Sequence, residues 1–408
     1  MPFRIALSGL NAAQTDLNVT ANNIANTSTT GFKGSRTEFA DLFAVSLQGT
    51  SNNASGNGVR VAAVTQQFAQ GNIEFTDSNL DLALSGQGMF ILSDNGALSY
   101  TRAGAFQMNR DGYVVNSMGQ RLQVYPPLAG GGFNTGGLGD LRLQTTDSAP
   151  SATGNVEYTL TLPASATQPP TAPFNANDPN TFNQATSLTL FDSLGATHTG
   201  TLYFSRTAVA NQWEARLFID GQPVGADGTP QTLQYSNTGL LTAPAGGQLA
   251  FPPFTPTTGA ANMNVTVDLS RTTQFGSNFA VNSVTQDGYT TGRLIGIDIS
   301  DTGIVQARFT NGNSQPLGQV AVANFANPQG LQQLGNTQWA ETYASGQALR
   351  GQAGNSGFGL VQSGALEGAN VDVTEQLVQM ITAQRNFQAN AQMIGTADSI
   401  QQTIMNIR

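Results

Sequence analysis

The sequence predicts a mainly β fold with an α-helix at each terminus, on three observations. Apolar residues recur at helical spacing at both ends of the chain, whereas the interior alternates short apolar runs with Asp-Gly and Asn-Gly turn signals. The chain is also 408 residues long, and single hydrophobic cores stop growing at roughly 250 residues, so several units are expected.

From the N-terminus, the apolar positions fall at Phe3, Leu7, Leu10, Leu17, Ala21 and Ile24, with polar Gln14 in one seam position. That spacing predicts a helix with one adhesive stripe. Asn22, Asn23 and Asn26 lower its propensity, yet their side chains can bridge backbone groups where the helix ends, and Gly31 permits a left-handed exit.

In the interior, Asp94-Asn95-Gly96, Asp111-Gly112, Asp192 to Gly195, Asp220-Gly221, Asp287-Gly288, Asp301 to Gly303 and Asn311-Gly312 separate apolar runs as hairpins require. The strands predicted are 188–191, 201–205, 214–219, 265–269, 294–299, 305–309 and 319–325, mostly antiparallel. Two Pro/Gly/Thr-rich stretches, 126–139 and 163–179, read as loops or divisions.

Near the C-terminus, Val373, Leu377, Met380, Phe387, Ala391 and Ile394 repeat the helical spacing, and Ile400, Ile404 and Ile407 continue it after a small drift. Asp372 and Thr374 supply cap-type side chains, and Glu375 complements the helix dipole. Isolated helices of this kind are marginal in water. Each stripe therefore needs a cover, either the other terminal helix and its copies in neighbouring chains or an ordinary packing surface on a β unit. Pattern alone leaves both open.

Composition narrows the chemistry. Charged residues make up 10% of the chain and the net charge is −9, against a usual charged fraction of about 25%. Lys33 is the only lysine and no basic run tracks a helix face, which argues against nucleic-acid binding. Without cysteine there is neither a disulfide nor thiolate chemistry. Asp16 and several Asn residues interrupt the apolar N-terminal stretch, so no Sec-type leader is expected, and no run approaches the roughly 20 apolar residues that span a bilayer.

No catalytic, cofactor or metal site is expected. His198, in an Ala-Thr-His-Thr-Gly context, reads as a solvated loop histidine. The glycines at 130–132 and 136–137 lack phosphate-loop spacing, and the Asp-Gly turns lack the EF-hand pattern. Trp213 and Trp339 read as packing residues.

Ser8 to Ala13, Ala21 to Thr27 and Thr30-Gly31-Phe32-Lys33 resemble the N-terminal signature of the flagellar rod and hook family of axial proteins. Leu80 to Phe90, Tyr100 to Phe106 and Asp111 to Val115 are similar to its first β motifs. Gly364 to Glu367, Asn370 to Val373 and Met380 to Phe387 resemble its C-terminal helix signature. Leu188 to Gly195, Leu202 to Phe204 and Gln212 to Glu214 are similar to the outer domain of its hook members, and Asn324 to Pro328 with Gly330-Leu331 to the return into the inner β domain.

The resemblance implies that the terminal helices pair as a coiled-coil-like inner domain, followed by an inner β domain made from two chain segments and an inserted outer β domain. In this chain the corresponding spans are 1–35 for the first helix, 36–70 for a linker, 71–147 and 285–363 for the inner β domain, 148–284 for the insert and 364–408 for the second helix. The function it implies is a non-enzymatic subunit of a flexible, torque-transmitting tube with a central export channel. Distal rod subunits lack such an insert, and a secreted β-rich adhesin is a further alternative. Implied partners are other copies of the chain, a distal rod protein, a hook cap protein, a hook–filament junction protein and the flagellar type III export apparatus. Nucleic acid and membrane insertion are not among them, and export proceeds without a cleaved leader to an extracellular position on the flagellum. Self-assembly is expected to rest on Phe3, Leu7, Leu10, Leu17, Asn22, Asn23, Ile24, Asn26, Gly31 and Phe32 at one end. At the other it is expected to rest on Leu377, Met380, Phe387, Ala391, Ile394 and Ile404.

Overall fold

Both terminal stripes fold as helices, α1 over Pro2–Ala25 and α2 over Val373–Asn406, and almost everything between them is β-strand and turn. The structure, a computed structural model, describes residues 2–42, 56–128, 130–143, 147–225 and 228–406. The expected continuation of the stripe at Ile407 lies outside the described residues, as does the side chain of Ile404. Asp372 caps α2 as its sequence position suggests, its Oδ1 accepting from the backbone N–H groups of Thr374 (2.7 Å) and Glu375 (3.1 Å). At the end of α1, Asn26 Nδ2 donates to the Asn22 carbonyl (2.9 Å), and Gly31 takes a left-handed φ of 69°.

The chain divides into two compact units. The first comprises Met1–Thr145, Gly296–Ala307 and Ser314–Arg408, the second Thr146–Ile295 and Arg308–Asn313. In the first unit, strands from before and after the second interleave. Ser314–Asn324 pairs antiparallel with both Arg121–Tyr125 and Met89–Asp94. The sheet continues through Ala97–Thr101 to Gln338–Ala340 and Gln332–Gly335. Met89–Asp94 is buried on both faces: Phe90 and Leu92 enter one core while Met89 and Ile91 enter another. A strand covered on both sides reads as a continuous apolar run, which is how Met-Phe-Ile-Leu stands in the sequence. The stretch 36–70, expected as a linker, holds two antiparallel strands, Ser35–Asp41 and Val59–Gln66. Their pairing supplies a surface on which α1 rests.

The second unit has two sheets that share one core. Asn155–Pro163 alternates cleanly, with Val156, Tyr158, Leu160 and Leu162 facing Leu202, Phe204, Trp213 and Leu217 of the other sheet. The second sheet runs Gln184–Phe191, Thr197–Arg206, Gln212–Ile219, Gln231–Tyr235 and Leu241–Ala243, all antiparallel neighbours. The first departs from the antiparallel expectation, because Asn155–Pro163 also pairs in parallel with Thr266–Asp268 and Thr273–Phe275. Parallel neighbours arise where the connection crosses over instead of turning back, which turn signals alone do not report.

His198 corrects the reading of its context. It lies not in a solvated loop but in the strand Thr197–Arg206, 5% exposed, with a carboxylate at each ring nitrogen. Its alternating neighbours placed its side chain on the covered face of the strand.

One turn in the first unit stores strain. The hairpin between Gln332–Gly335 and Gln338–Ala340 puts both Asn336 (φ 52°) and Thr337 (φ 55°) in the left-handed region. A β-branched residue there costs roughly 1–2 kcal/mol, and glycine costs about 0.5–1 kcal/mol in lost chain freedom. Thr337→Gly should therefore raise the stability of the first unit by roughly 0.5 kcal/mol. A calorimetric comparison of the unit's unfolding transition, showing no gain or a loss, would contradict this.

Candidate functional site

The helix pair and its base hold the residues that the sequence singled out. α1 and α2 run antiparallel along each other, with Gly9 against Asn390 near one end and Asn23 bonded to Gln376 near the other. A Cβ on Gly9 would stand 2.5 Å from Asn390 Oδ1, so the absence of a side chain is what permits this approach. On α1 the covered positions are small, with Ala6, Ala13 and Thr20 buried at seven-residue intervals. On α2, Ala383 is buried while Gln376, Met380, Phe387, Asn390, Ile394 and Ala397 are half-buried, a 4-3 register along one face.

This register departs from the predicted seam by part of a turn. Met380, Phe387 and Ile394 face α1 as expected, and Leu10, Leu17 and Ile24 are half-buried. Phe3, Leu7 (41% exposed), Leu377 (46%) and Ala391 lie outside the contact. Val378, Ile381, Met393 and Ile400 of α2 are exposed as well. The physical reason is distance: on α1 small residues occupy the centre of the contact and let the two helix backbones approach, which leaves Phe3 and Leu7 outside it. A reading that follows the large residues misses this. The signal lay in the small residues Ala6, Gly9 and Ala13 of α1, spaced three and four apart, and in Ala383 of α2.

At the base of the pair the chain buries a charged cluster. Glu367 Oε1 lies 2.6 Å from Lys33 Nζ, and Glu367 Oε2 lies 3.0 Å from Arg102 Nη1, with the Lys33 and Glu367 side chains wholly enclosed. Two cations against one carboxylate leave an excess positive charge, and backbone carbonyls receive it. Lys33 Nζ donates to Ala69 O (2.8 Å), Arg102 Nη1 to Leu84 O (3.3 Å) and Arg102 Nη2 to Gly86 O (2.7 Å). Burial pulls the pKa of the Lys33 ammonium below its ordinary range, and the adjacent Glu367 carboxylate opposes that pull.

The surrounding backbone is bound into the same cluster. Glu367 O accepts from Gly31 N–H (2.7 Å) and Glu367 Oε1 from Gly71 N–H (2.9 Å). Gly31 has no room for a side chain, since a Cβ would lie 2.4 Å from Ala103 N. Asn370 Oδ1 accepts from Gly34 N–H (2.7 Å), and its Nδ2 donates to Gln67 O and Ala69 O. Asn370 N–H reaches Phe32 O (3.4 Å), which places Phe32 at the same junction. Asn23, 3% exposed, exchanges two hydrogen bonds with the Ser35 backbone and donates to Gln376 Oε1 (3.0 Å). Asn22 and Asn26 bond to each other at the helix end. Sequence reasoning quoted Lys33, Arg102 and Glu367 inside separate motifs but did not pair them. The available signal was a lone lysine in a chain this poor in charge.

These motifs also match protein families. Residues 3–33 match the flagella basal body rod protein family, 83–168 the flagellar hook protein FlgE/F/G D1 domain, 161–289 the flagellar basal body protein FlaE D2 domain and 362–407 the flagellar basal body rod FlgEFG protein C-terminal family. Over the full length of both chains, the sequence is 38% identical to flagellar hook protein FlgE of Escherichia coli K12 and 37% identical to that of Salmonella typhimurium. The chain belongs to the flagellar hook protein family. The hook protein FlgE of Borreliella burgdorferi is 33% identical over 98% of each chain. A crystal structure of Helicobacter pylori flagellar hook protein FlgE2 shares the fold, with a TM-score of 0.55 at 14% identity over 72% of this chain and 100% of that one. Among the described residues no cluster of metal-ligating side chains occurs and no helix is long and apolar enough to cross a membrane.

Within this hook family member, the segments that carry the family signature at the two chain ends meet at Glu367. Removing its charge while keeping its shape, Glu367→Gln, leaves Lys33 and Arg102 facing no anion. Breaking a buried pair in this way costs about 3–5 kcal/mol. The unfolding transition of the first unit should drop accordingly in calorimetry, and an unchanged transition would show that the cluster does not hold the base of the helices.

Proposed function

We propose that this chain is the structural, non-enzymatic subunit of the flagellar hook, a tubular homopolymer in which the flanks of α1 and α2 left uncovered in one copy are buried by the next. The observation that carries the assembly reading is the apolar flank itself. Leu7, Leu377, Val378, Ile381, Met393 and Ile400 stay exposed on helices that are already paired. Covering the roughly half of each side chain that remains exposed stabilises by about 1 kcal/mol apiece. With Gly9 opposite Asn390, the last turns of α2 extend beyond the start of α1, and Ile400 and Met405 there are more than half exposed. A second copy supplies the missing cover.

The full-length relatives named as hook proteins support this identity, and the match of 161–289 to a D2 domain disfavours the shorter distal rod alternative. An adhesin reading leaves the uncovered flanks without purpose. In the tube, the terminal helices form the innermost layer around an export channel. Tight apolar contacts inside transmit torque, and wet polar contacts between Thr-, Asn- and Gln-rich outer surfaces slide as the tube bends. The distal rod, cap and hook–filament junction proteins would meet the same helix flanks at the ends of the polymer. Export through the flagellar type III apparatus suits helix ends that complete their burial only after arrival.

Leu7→Asp with Leu377→Asp tests the flank directly, because both residues are exposed in the single chain and the variant should fold normally. Electron micrographs under polymerising conditions should show tubes for the wild type and for Val209→Asp, whose site is exposed on the second unit, and none for the double variant. Normal tubes from the double variant would remove the flank from the assembly.

A further inference from the structure

His198, the single histidine of the chain, sits where only its charged form donates to two carboxylates at once. Its Nδ1 lies 2.6 Å from Asp220 Oδ2 and its Nε2 3.3 Å from Asp192 Oδ2. An ionised carboxylate only accepts hydrogen bonds, and neutral imidazole has one N–H, so it can satisfy one of these carboxylates but not both. The imidazolium satisfies both.

The two carboxylates differ in freedom: the Asp220 side chain is 47% exposed, whereas Asp192 is held on every side. Asp192 is fully enclosed; its Oδ1 accepts from Leu194 N–H (2.9 Å) and Ala196 N–H (2.8 Å), and its Oδ2 from the Thr258 hydroxyl (2.7 Å). Burial alone would raise its pKa, but the hydrogen bonds from Thr258, the Ala196 backbone and His198 reverse this and hold it at about 2. Asp220 Oδ1 accepts from Thr199 N–H (2.8 Å); burial would raise its pKa, but the histidine and this backbone donor outweigh that and keep its carboxyl below the usual range. The other ring contact is uncharged, with the Phe254 ring at 6.3 Å. Thus the two carboxylates are the charged groups that touch His198 among the described residues, one from the turn before its strand and one from the turn after Gln212–Ile219.

We infer that His198 is a proton-operated clamp: as imidazolium it staples the Asp192 turn to the Asp220 turn, and when it loses its proton it releases one of them. The longer contact, to Asp192, is the one released. Asp192 keeps its three other donors, so its own turn survives while its tie to the Asp220 side is lost. That turn carries Leu194, 62% exposed, so the loosening reaches a surface apolar group. Burial disfavours the imidazolium, but the hydrogen bonds to Asp220 and Asp192 overcome it and set the pKa above the ordinary value of 6.5. A raised folded-state pKa means the stabilisation is complete below about 6.5 and disappears as pH rises through the folded value. The second unit therefore loosens as pH climbs past the midpoint of the folded histidine.

With ¹⁵N-labelled histidine in the untagged full chain, a single residue reports the titration. Its midpoint should lie above 6.5, with both ring nitrogens protonated at pH values below that midpoint, and Asp220→Asn should lower it. Asn at 220 keeps the left-handed φ of 51° easily, so the fold is retained. Amide exchange at residues 192–199 and 220–221, corrected for intrinsic rate, should accelerate about tenfold across the midpoint in the wild type, the factor expected for losing one hydrogen bond between charged groups. His198→Gln should show no such step. A midpoint at or below 6.5, a neutral tautomer on the acid side of it, or the same exchange step in His198→Gln would overturn the clamp. None of these readouts depends on whether the chain polymerises.

Discussion

Glu367 brings one negative charge into a space closed to water, and the favourable solution is to keep Lys33 and Arg102 against it. Moving an isolated carboxylate into such an interior costs many kcal/mol, so the pairing tolerates little variation in geometry. Lys33 is 334 residues away in sequence and Arg102 is 265 away. Satisfying one carboxylate therefore fixes where the chain leaves α1, where the strand Leu82–Ser85 ends and where the chain approaches α2. The hydrogen bonds of Asn370 and Asn23 then set the finer spacing at the same junction.

Above that base, the helices divide their surfaces by size. Small residues on the α1 side of the shared face let α1 and α2 approach, while Met380, Phe387 and Ile394 of α2 face that surface and other large residues stay exposed. The same pair of helices thus carries two surfaces: the shared face and the charged base, which position the helices within the chain, and the uncovered apolar residues, which we propose serve adhesion between copies.

The second unit handles charge differently. Its core is a two-sheet sandwich with Trp213, Tyr158 and Phe204 at the centre, and its polar surface has few ions. Arg216 pairs with Glu214 and Arg271 with Glu157 at its surface, whereas His198 is itself buried between its two carboxylates. A lone histidine beside two aspartates looks like a solvated turn when read along the chain, because the turn signals around it are genuine. Only the pairing of Thr197–Arg206 with its neighbours shows that the ring points inward.

What the sequence determined by itself was local. The periods of Leu10, Leu17, Phe387 and Ile394 announced helices, Asp372 marked the start of α2, and the strand runs at 188–191, 214–219 and 294–299 fell where strands form. Propensity, period and turn chemistry act over a few residues, so one chain segment contains the information. The phase of the helix contact, the meeting of Lys33, Arg102 and Glu367 and the enclosure of His198 were decided by tertiary structure alone. Each depends on which distant groups are brought together and how much water they exclude, and neither distance nor burial is a property of a residue in isolation.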